Sequence, residues 1–230
     1  MIARDHYDQH TEGELWWFQG RQRVIDRLLR HHKAQGALLL DIGCGSGGMD
    51  KMLSGYVDMA VGIDIDQHAL DLHEGTTRRA SGDDLPYPND SVDIVTAFDS
   101  LEHIADPQGT LVELYRVLKP GGLLVVTVPA MPSLWSDHDR LLGHFTRFTR
   151  PTLRHLLNQF EVVSMTHFNS LLLPLGYLRK IQGHRRVDLV TLPRPINWML
   201  RNLLALEGLI GQHVPLPLGA SLAAVARKSR

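Results

Sequence analysis

Apolar residues along this chain form short continuous runs that alternate with segments of helical periodicity. Runs of this length are typical of buried parallel strands. They are ALLLDIG, MAVGIDI, SVDIVTAFD and GGLLVVTVPA, with FEVVSMTHF and SLAAVARK late in the chain. Helices are predicted for residues 14–32, for the stretch from the glycines to about Leu53, and for QHALDLHE and GTLVELYRVLK. Such alternation favours right-handed crossovers, so the pattern predicts an α/β fold around a mainly parallel sheet.

Two segments interrupt this alternation. Residues 130–150 are polar and aromatic, and residues 171–215 are irregular and contain several prolines. Within the second segment, residues 196–211 have helical character with apolar residues on most sides, which predicts a buried helix. Because no linker, repeat or low-complexity tract separates these parts, we expect a single domain over residues 1–230 with two excursions.

Composition narrows the class of protein only a little. A length of 230 residues suits one α/β domain, and a net charge of −1 gives no reason to expect nucleic acid as a partner. A single cysteine, Cys44, excludes an internal disulfide and fits a reducing compartment, and we interpret it as a packing residue. No signal peptide and no bilayer-spanning apolar run is evident, so a cytoplasmic protein without a transmembrane segment is expected.

The stretch LLLDIGCGSGGMD places a cluster of glycines at the end of the first predicted strand. Glycines there indicate close approach of the backbone to a ligand, and the literal G-x-G-x-x-G string permits a dinucleotide. Asp41, two residues before the first glycine, would repel a pyrophosphate and would favour a cationic ligand. Asp64 ends the second strand 19 residues after Gly45, which suits a carboxylate that binds ribose hydroxyls. On these residues alone, NAD and a different adenosine ligand both remain open.

Four motifs in order extend this picture. LLLDIGCGSG, VGIDID, GDDLPYPNDSVDIV and LYRVLKPGGLLVVTVP, within residues 36–130, resemble the motifs of class I S-adenosylmethionine-dependent methyltransferases. The resemblance implies a Rossmann-like, doubly wound, mainly parallel seven-stranded sheet with an antiparallel strand near the C-terminus. It also implies an N-terminal helix, insertions after strands 5 and 6, S-adenosylmethionine as cofactor and S-adenosylhomocysteine as product.

The same resemblance implies a set of cofactor-binding residues. Asp41 and the glycine loop would hold the methionine part, and Asp64 and Ile65 the ribose and the adenine face. Asp83 and Leu85 would lie at the adenine amino side, and Phe98 and Asp99 would line the methionine end. The complete set is Asp41, Gly43, Gly45, Gly47, Asp64, Ile65, Asp83, Leu85, Phe98 and Asp99. Gly48 is expected to serve helix packing rather than the loop itself.

The flanks resemble a narrower, bacterial subgroup of these methyltransferases, of type 11 or 23. HTEGELWWFQGRQRVI and PSLWSDHDRLLGHFTRFTRPTLRHLL carry that resemblance, although Thr146 and Phe148 stand where the subgroup often has arginine and tyrosine. The flanks predict a helical lid at 1–35, a cofactor-binding core at 36–130, and acceptor-site insertions at 131–150 and 171–215. Predicted substrate-binding residues are Trp16, Trp17, Phe18, Arg21, Trp135 and Arg147.

Histidines supply the candidate catalytic groups. His103 follows the fourth strand, and His138 or His144 could take a proton from a hydroxyl acceptor with Asp139 orienting one of them. For each of these residues, ordinary packing is an alternative interpretation. Asp137, His138 and Asp139 are adjacent and point in different directions, so no metal is predicted.

These observations predict a methyltransferase that acts on a small-molecule or glycan-type acceptor, and they favour oxygen over nitrogen or carbon as the atom that is methylated. Two alternatives stay open: an NAD-dependent oxidoreductase and a non-catalytic S-adenosylmethionine-binding module. The acceptor, the oligomeric state (monomer or homodimer) and a contact of the 171–215 insertion with a membrane surface are not decided by the sequence.

Overall fold

A seven-stranded sheet forms the centre of the structure, a computed structural model that describes residues 15–181 and 192–230. The strands lie in the order β3-β2-β1-β4-β5-β7-β6. Their bounds are β1 Gly36–Ile42, β2 Val57–Asp64, β3 Thr77–Arg79, β4 Val92–Phe98, β5 Leu118–Pro129, β6 Glu161–Phe168 and β7 Ser221–Arg227. The pairs among β1 to β5 are parallel, whereas β7 runs antiparallel to both β5 and β6. The predicted α/β architecture with an antiparallel strand near the C-terminus is confirmed.

Helices cover both faces of this sheet. They are α1 Trp16–His31, α2 Asp50–Leu53, α3 Gln67–Asp71, α4 Pro107–Val117, α5 Asp137–Leu142, α6 Arg150–Leu156, α7 Leu173–Ile181 and α8 Arg194–Gly211. Short 3₁₀ turns at Leu101–His103 and Pro132–Leu134 follow β4 and β5. One core cluster contains β-strand residues with α4 and α6, and a second contains the other sheet face with α1 and Leu204 of α8. Among the described residues, no helix combines the length and hydropathy needed to cross a membrane.

The N-terminal helix α1 packs against α8, across almost the whole length of the chain. A Cβ atom added to Gly20 would lie 2.6 Å from Leu204 Cδ1, and one added to Gly208 would lie 3.0 Å from Val24 Cγ2. Hydrogen bonds accompany this close crossing, including Trp16 N–H to Asn197 Oδ1 at 2.8 Å. Small residues at the crossing thus let two remote helices approach closely.

The prediction that residues 196–211 form a buried helix holds for one side of the helix and not for the other. Helix α8 buries Leu200 and Leu204, but Trp198 is 60% exposed and Met199 is 54% exposed. Apolar residues cover the helix on most sides, yet only the side that faces α1 and β6 finds a partner among the described residues. Residues 182–191 of the predicted 171–215 insertion lie outside the described residues, as do positions 1–14 of the predicted lid.

Two further elements differ from the sequence pattern. The edge strand β3 reads TRR, which is too short and too polar to produce a recognisable strand signal. The predicted helix after the glycines shrinks to the four residues of α2, because several turns of loop precede it.

Candidate active site

The glycine loop leaves the carboxyl end of β1, at the centre of the sheet. Gly43, Gly45 and Gly47 adopt φ angles of 71°, 55° and 90°, in the left-handed region that favours glycine. A Cβ atom on Gly43 would lie 2.6 Å from Ser100 Cβ, and one on Gly47 would lie 2.7 Å from the His73 ring. Gly48 is not among the glycines with positive φ among the described residues, which agrees with a separate role for it. The loop therefore depends on glycine at the three positions that the motif resemblance selects.

Asp64 ties the glycine loop to the end of β2. Its Oδ2 accepts the Gly45 N–H at 3.0 Å, and its Oδ1 accepts the Asp66 N–H at 2.9 Å. Each carboxylate oxygen keeps a further lone pair for a donor such as a ribose hydroxyl. The next residue, Ile65, is 66% exposed and so offers an apolar surface at this edge.

Asp41 lies beneath the loop in β1 and is 8% exposed. Its Oδ1 accepts a hydrogen bond from Thr96 Oγ1 at 2.6 Å. Burial raises the pKa of Asp41 to about 7, because desolvation disfavours the carboxylate more than Thr96 and Arg21 favour it. A bound cation would stabilise the ionised form, so this group suits the ammonium end of a ligand.

Asp83 and Leu85 occupy the turn after β3. Asp83 is exposed and accepts a hydrogen bond from Ser81 Oγ. Leu85 is buried in the core, and its N–H donates to Glu113 Oε1 at 2.8 Å. Their adenine-binding role stays a prediction.

At the end of β4, Phe98 is buried and Asp99 has a left-handed backbone with φ 49°. Asp99 forms an ion pair with Arg21 of α1, and its Oδ1 accepts from Thr127 Oγ1 at 3.2 Å. The Arg21 guanidinium also lies over the Phe18 ring, 5.1 Å from its centroid. The N-terminal helix therefore contributes two of the predicted residues directly to this sheet edge.

Asp139 organises the segment after β5. Fully buried, it accepts hydrogen bonds from the Ser136 N–H at 2.9 Å, from His144 Nδ1 at 3.1 Å and from Arg147 Nε at 2.7 Å. Burial by itself would raise the pKa of Asp139, but the hydrogen bonds from His144 and Arg147 hold it well below the usual range. Because a carboxylate only accepts, the His144 ring carries its proton on Nδ1 and a lone pair on Nε2.

Glu102 and His103 approach this segment from the turn after β4. The Glu102 carbonyl accepts the Phe145 N–H at 2.7 Å, and the rings of His103 and His144 make an edge contact at 4.7 Å between centroids. Burial, followed by the neighbouring His144, lowers the pKa of His103 to about 4, so its imidazole is neutral near pH 7. Burial also raises the pKa of Glu102 well above its usual range, and the charge of Asp99 adds to this effect. We call Glu102, His103, Asp139, His144 and Arg147 the polar cluster.

The structure also separates some predicted residues from this cluster. His138 is exposed, and Asp139 orients His144 rather than His138. Trp17 stacks on Phe168 at 6.1 Å between centroids, and Trp16 makes an edge contact with Trp17. Both tryptophans pack against the core cluster under α1, and Trp135 is half-buried. Their roles as lid or substrate contacts stay predictions.

Arg147 was expected to hold an anionic substrate group. In the structure its guanidinium already bonds Asp139 and donates to the Ala130 carbonyl at 3.1 Å. Phe148 stands where the bacterial subgroup often has tyrosine. Its side chain is 5% exposed and packs in the core, which suits a residue without a hydroxyl group. Arg147 therefore has a structural role in holding this loop through Asp139 and the Ala130 carbonyl. Its binding of a substrate anion stays a prediction.

Sequence patterns missed two residues of this site. Thr96 lies mid-strand, and a threonine there looks like an ordinary strand former until its bond to Asp41 is known. Glu102 directly precedes His103 and is not among the predicted site residues, although a carboxylate that closely follows a buried strand is a recognisable signal. The structure shows that Glu102 is 1% exposed and that its Oε2 has no hydrogen-bond partner.

The residues at this edge fit S-adenosylmethionine. The glycine loop leaves room that a Cβ would fill, Asp41 and Asp64 supply carboxylates, and Ile65 supplies an apolar face. The buried Ser100 Oγ next to Gly43 lacks a hydrogen-bond partner, which adds an unsatisfied polar atom at the methionine end. Cys44 is half-buried, and desolvation raises the pKa of its thiol, which disfavours the reactive thiolate.

Comparisons with known proteins agree with this assignment. A family model described as a methyltransferase domain, of type 11, matches residues 40–126. A relative from Mycolicibacterium smegmatis, named as an S-adenosylmethionine-dependent methyltransferase, is 30% identical over 57% of this chain and 52% of its own. The O-methyltransferase cnsE of Penicillium expansum is 30% identical over 70% of this chain and 67% of its own.

A solved structure shows the same fold over the whole chain. It belongs to the complex between the Haloferax volcanii Trm112 methyltransferase activator and a methyltransferase. The two folds superpose with a TM-score of 0.67 at 19% identity, covering 100% of this chain and 99% of that one.

Fold, loop and relatives together define the class of protein: a Rossmann-like methyltransferase. The chain belongs to the class I S-adenosylmethionine-dependent methyltransferases of type 11. The NAD-dependent alternative is therefore dropped, since the family uses S-adenosylmethionine. The chain spans about half the length of the Mycolicibacterium smegmatis relative, 52% of it.

Proposed function

We propose that this chain transfers a methyl group from S-adenosylmethionine to an oxygen atom of a small-molecule or glycan-type acceptor. The observation that carries the proposal is the junction of two groups of residues. Gly43 of the cofactor loop packs against Ser100. Two residues after Ser100, in the turn after β4, lie Glu102 and His103 of the polar cluster. A methyl donor held by the loop would thus face imidazole and carboxylate groups.

On the cofactor side, the chain binds and orients. Asp41 would attract the ammonium group, Asp64 would accept from ribose hydroxyls, and the glycine loop would let the backbone approach the ligand. When bound, S-adenosylmethionine supplies an electrophilic methyl group whose bond to sulfur breaks with the electron pair remaining on sulfur. The ion pair between Arg21 and Asp99 joins α1 to the methionine end and shields it from water.

On the acceptor side, His144 handles the proton. Asp139 holds the His144 Nδ1 proton, so Nε2 presents a lone pair that can accept the proton of an acceptor hydroxyl. The acceptor oxygen then forms its bond to the methyl carbon, and the positive charge that leaves sulfur ends on the imidazolium. Asp139 stabilises that imidazolium, as an orienting carboxylate does.

An oxygen acceptor is favoured over nitrogen or carbon for two reasons. A hydroxyl is a weak nucleophile at neutral pH, so it benefits from a positioned base such as the pair of His144 and Asp139. The Penicillium expansum relative is named as an O-methyltransferase.

Calorimetry and a labelled-donor screen test the proposal together. We expect the chain to bind S-adenosylmethionine and to label hydroxylated acceptors in a metabolite extract, with fragmentation spectra that locate the methyl group on oxygen. His144→Ala should lower the rate by 10²-fold or more, the usual contribution of a general base. The matched control is His155→Ala, because His155 is an exposed histidine of α6. Tight binding without labelling of any acceptor would support a non-catalytic module instead.

A further inference from the structure

Three side chains of the polar cluster converge from separate parts of the chain. Glu102 and His103 lie in the 3₁₀ turn after β4, and His144 lies in the loop after α5. Each offers one ligand atom, and these atoms all lie within 4.8 Å of one another. The sequence predicts no metal for this chain, so a cation at this group departs from that prediction.

Glu102 is the least satisfied member of this group. Its side chain is 1% exposed, and its Oε2 has no hydrogen-bond partner. Leaving such an acceptor unpaired in a buried site is unfavourable, and more so if the group is charged. The two nearby guanidinium groups form ion pairs with other carboxylates, Arg21 with Asp99 and Arg147 with Asp139. Neither donates a hydrogen bond to Glu102 Oε2, so this oxygen keeps its lone pairs.

His144 is oriented as a metal-binding histidine is oriented in many sites. Asp139 accepts from its Nδ1, which fixes the ring and directs the lone pair to Nε2. The Asp139 carboxylate is in turn held by the Ser136 N–H and by Arg147. A ligand histidine that donates its other nitrogen to a buried carboxylate is the usual second layer of a metal site.

We propose that Glu102, His103 and His144 bind one divalent transition-metal cation, with Zn²⁺ as the best match. Two imidazole nitrogens and one carboxylate oxygen form the ligand set of many catalytic zinc sites, which keep a fourth position open. Mg²⁺ and Ca²⁺ prefer oxygen ligands throughout and fit this set poorly.

The ligand atoms must move closer for this cation to bind. Bonds of about 2.0–2.1 Å place tetrahedral ligands roughly 3.3 Å apart, so a spacing of up to 4.8 Å has to contract. Of the three residues, His103 has the most solvent-exposed surface, although its ring contacts the His144 ring. We expect the His103 ring to make most of this movement, because Glu102 is 1% exposed.

The cation would lie on the acceptor side of the site, beside Asp99. Its consequence for catalysis rests on the proposed function: a coordinated acceptor hydroxyl would release its proton to solvent water more readily, because the metal lowers the pKa of the hydroxyl. His144 Nε2 would then be a ligand, and water would replace it as the proton acceptor. Binding of the cation itself does not depend on that chemistry.

Titration of the full chain with Zn²⁺, after removal of any affinity tag and of bound metal by a chelator, tests the proposal. We expect one strong equivalent in competition with a chromophoric zinc chelator. His103→Gln replaces a ligand by a poor one at an exposed position and should weaken that equivalent at least tenfold, whereas the control His155→Ala should not change it. Circular dichroism checks that both variants fold.

S-adenosylmethionine binding, measured on the same protein by calorimetry, separates the two proposals. A chain that binds S-adenosylmethionine but no equivalent of Zn²⁺ overturns the cation site and leaves the proposed function standing. A chain that binds Zn²⁺ but not S-adenosylmethionine does the opposite. The cation site is also overturned if His103→Gln binds Zn²⁺ like the wild type, or if His155→Ala loses as much affinity as His103→Gln.

Discussion

The glycine loop and the polar cluster lie at the same edge of the sheet, but different parts of the chain hold them in place. The loop is shaped by the φ angles of three glycines and by the Asp64 bond to the Gly45 N–H, between strands that are neighbours in the sheet. The cluster is held by side-chain bonds to Asp139 within the segment after β5, and a backbone bond and a ring contact join that segment to the turn after β4.

This difference indicates that the glycine loop and the polar cluster can be altered separately by mutation. The glycine loop is held by backbone conformation and by a bond from Gly45 to Asp64, which joins it to β2 rather than to the segment after β5. The polar cluster depends on one buried carboxylate, Asp139, whose bonds to Ser136, His144 and Arg147 hold that segment together. We therefore expect defects in the cluster to reduce stability and defects in the loop to reduce cofactor affinity.

Removal of the shared carboxylate should have the largest effect. Asp139→Ala leaves Arg147 buried without its partner, so we expect a loss of about 3–5 kcal/mol in the free energy of unfolding, measured by urea denaturation. Asp137→Ala in the same helix is the matched control. Its ion pair with Arg140 is largely exposed, so its loss should stay under about 1 kcal/mol. Equal losses of unfolding free energy in the two variants would show that the polar cluster does not depend on the buried Asp139 carboxylate.

Strain in the loop should come next. Gly47→Ala forces an alanine to φ 90° and places its Cβ 2.7 Å from the His73 ring. A non-glycine residue in this region costs about 1–3 kcal/mol, so we expect roughly thirtyfold weaker binding of S-adenosylmethionine by calorimetry. Gly48→Ala, at an exposed glycine without positive φ, should stay within about threefold of the wild type. The reverse order would favour the dinucleotide spacing over the methyltransferase loop.

A pH dependence of binding should be the smallest effect. The folded pKa of Asp41 is raised from 3.8 to about 7, so the carboxylate that would hold the ligand's ammonium forms only as the pH rises through that value. We expect binding to tighten about tenfold from pH 6 to pH 8, relative to Asp41→Asn. That variant carries the same ligand titration without the carboxylate, and a parallel profile for both proteins would rule Asp41 out.

The same shift affects the stability of the ligand-free protein with the opposite sign. Because the folded state binds a proton that the unfolded state has released, the contribution of Asp41 to stability falls as the pH rises between 3.8 and about 7. Ligand binding and folding should therefore respond to pH in opposite directions through this one group.

Much of the parallel sheet could be predicted because its determinants are local. A continuous apolar run signals β1, and Asp66 caps α3 through its bond to the His68 N–H at 2.9 Å, as its sequence position indicates. Strand β3 could not be predicted, because a three-residue edge strand obtains its conformation from its neighbour β2. The exposed face of α8 was mispredicted because periodicity reports hydrophobic residues but not the surface that covers them.

For the site, sequence by itself determined the family and the cofactor loop, since both depend on residue types at fixed spacing next to one strand. It also named His103, Asp139 and His144 but left their partners open. Only the tertiary structure decided that Asp139 orients His144, that Arg21 of α1 pairs with Asp99, and that Glu102 is buried with an unpaired oxygen. The Arg21–Asp99 pair joins segments 78 residues apart, whereas Asp139 and His144 lie five residues apart in one folded segment. In each case, which donor meets which acceptor, and which oxygen is buried, is set by how the sheet brings its loops together.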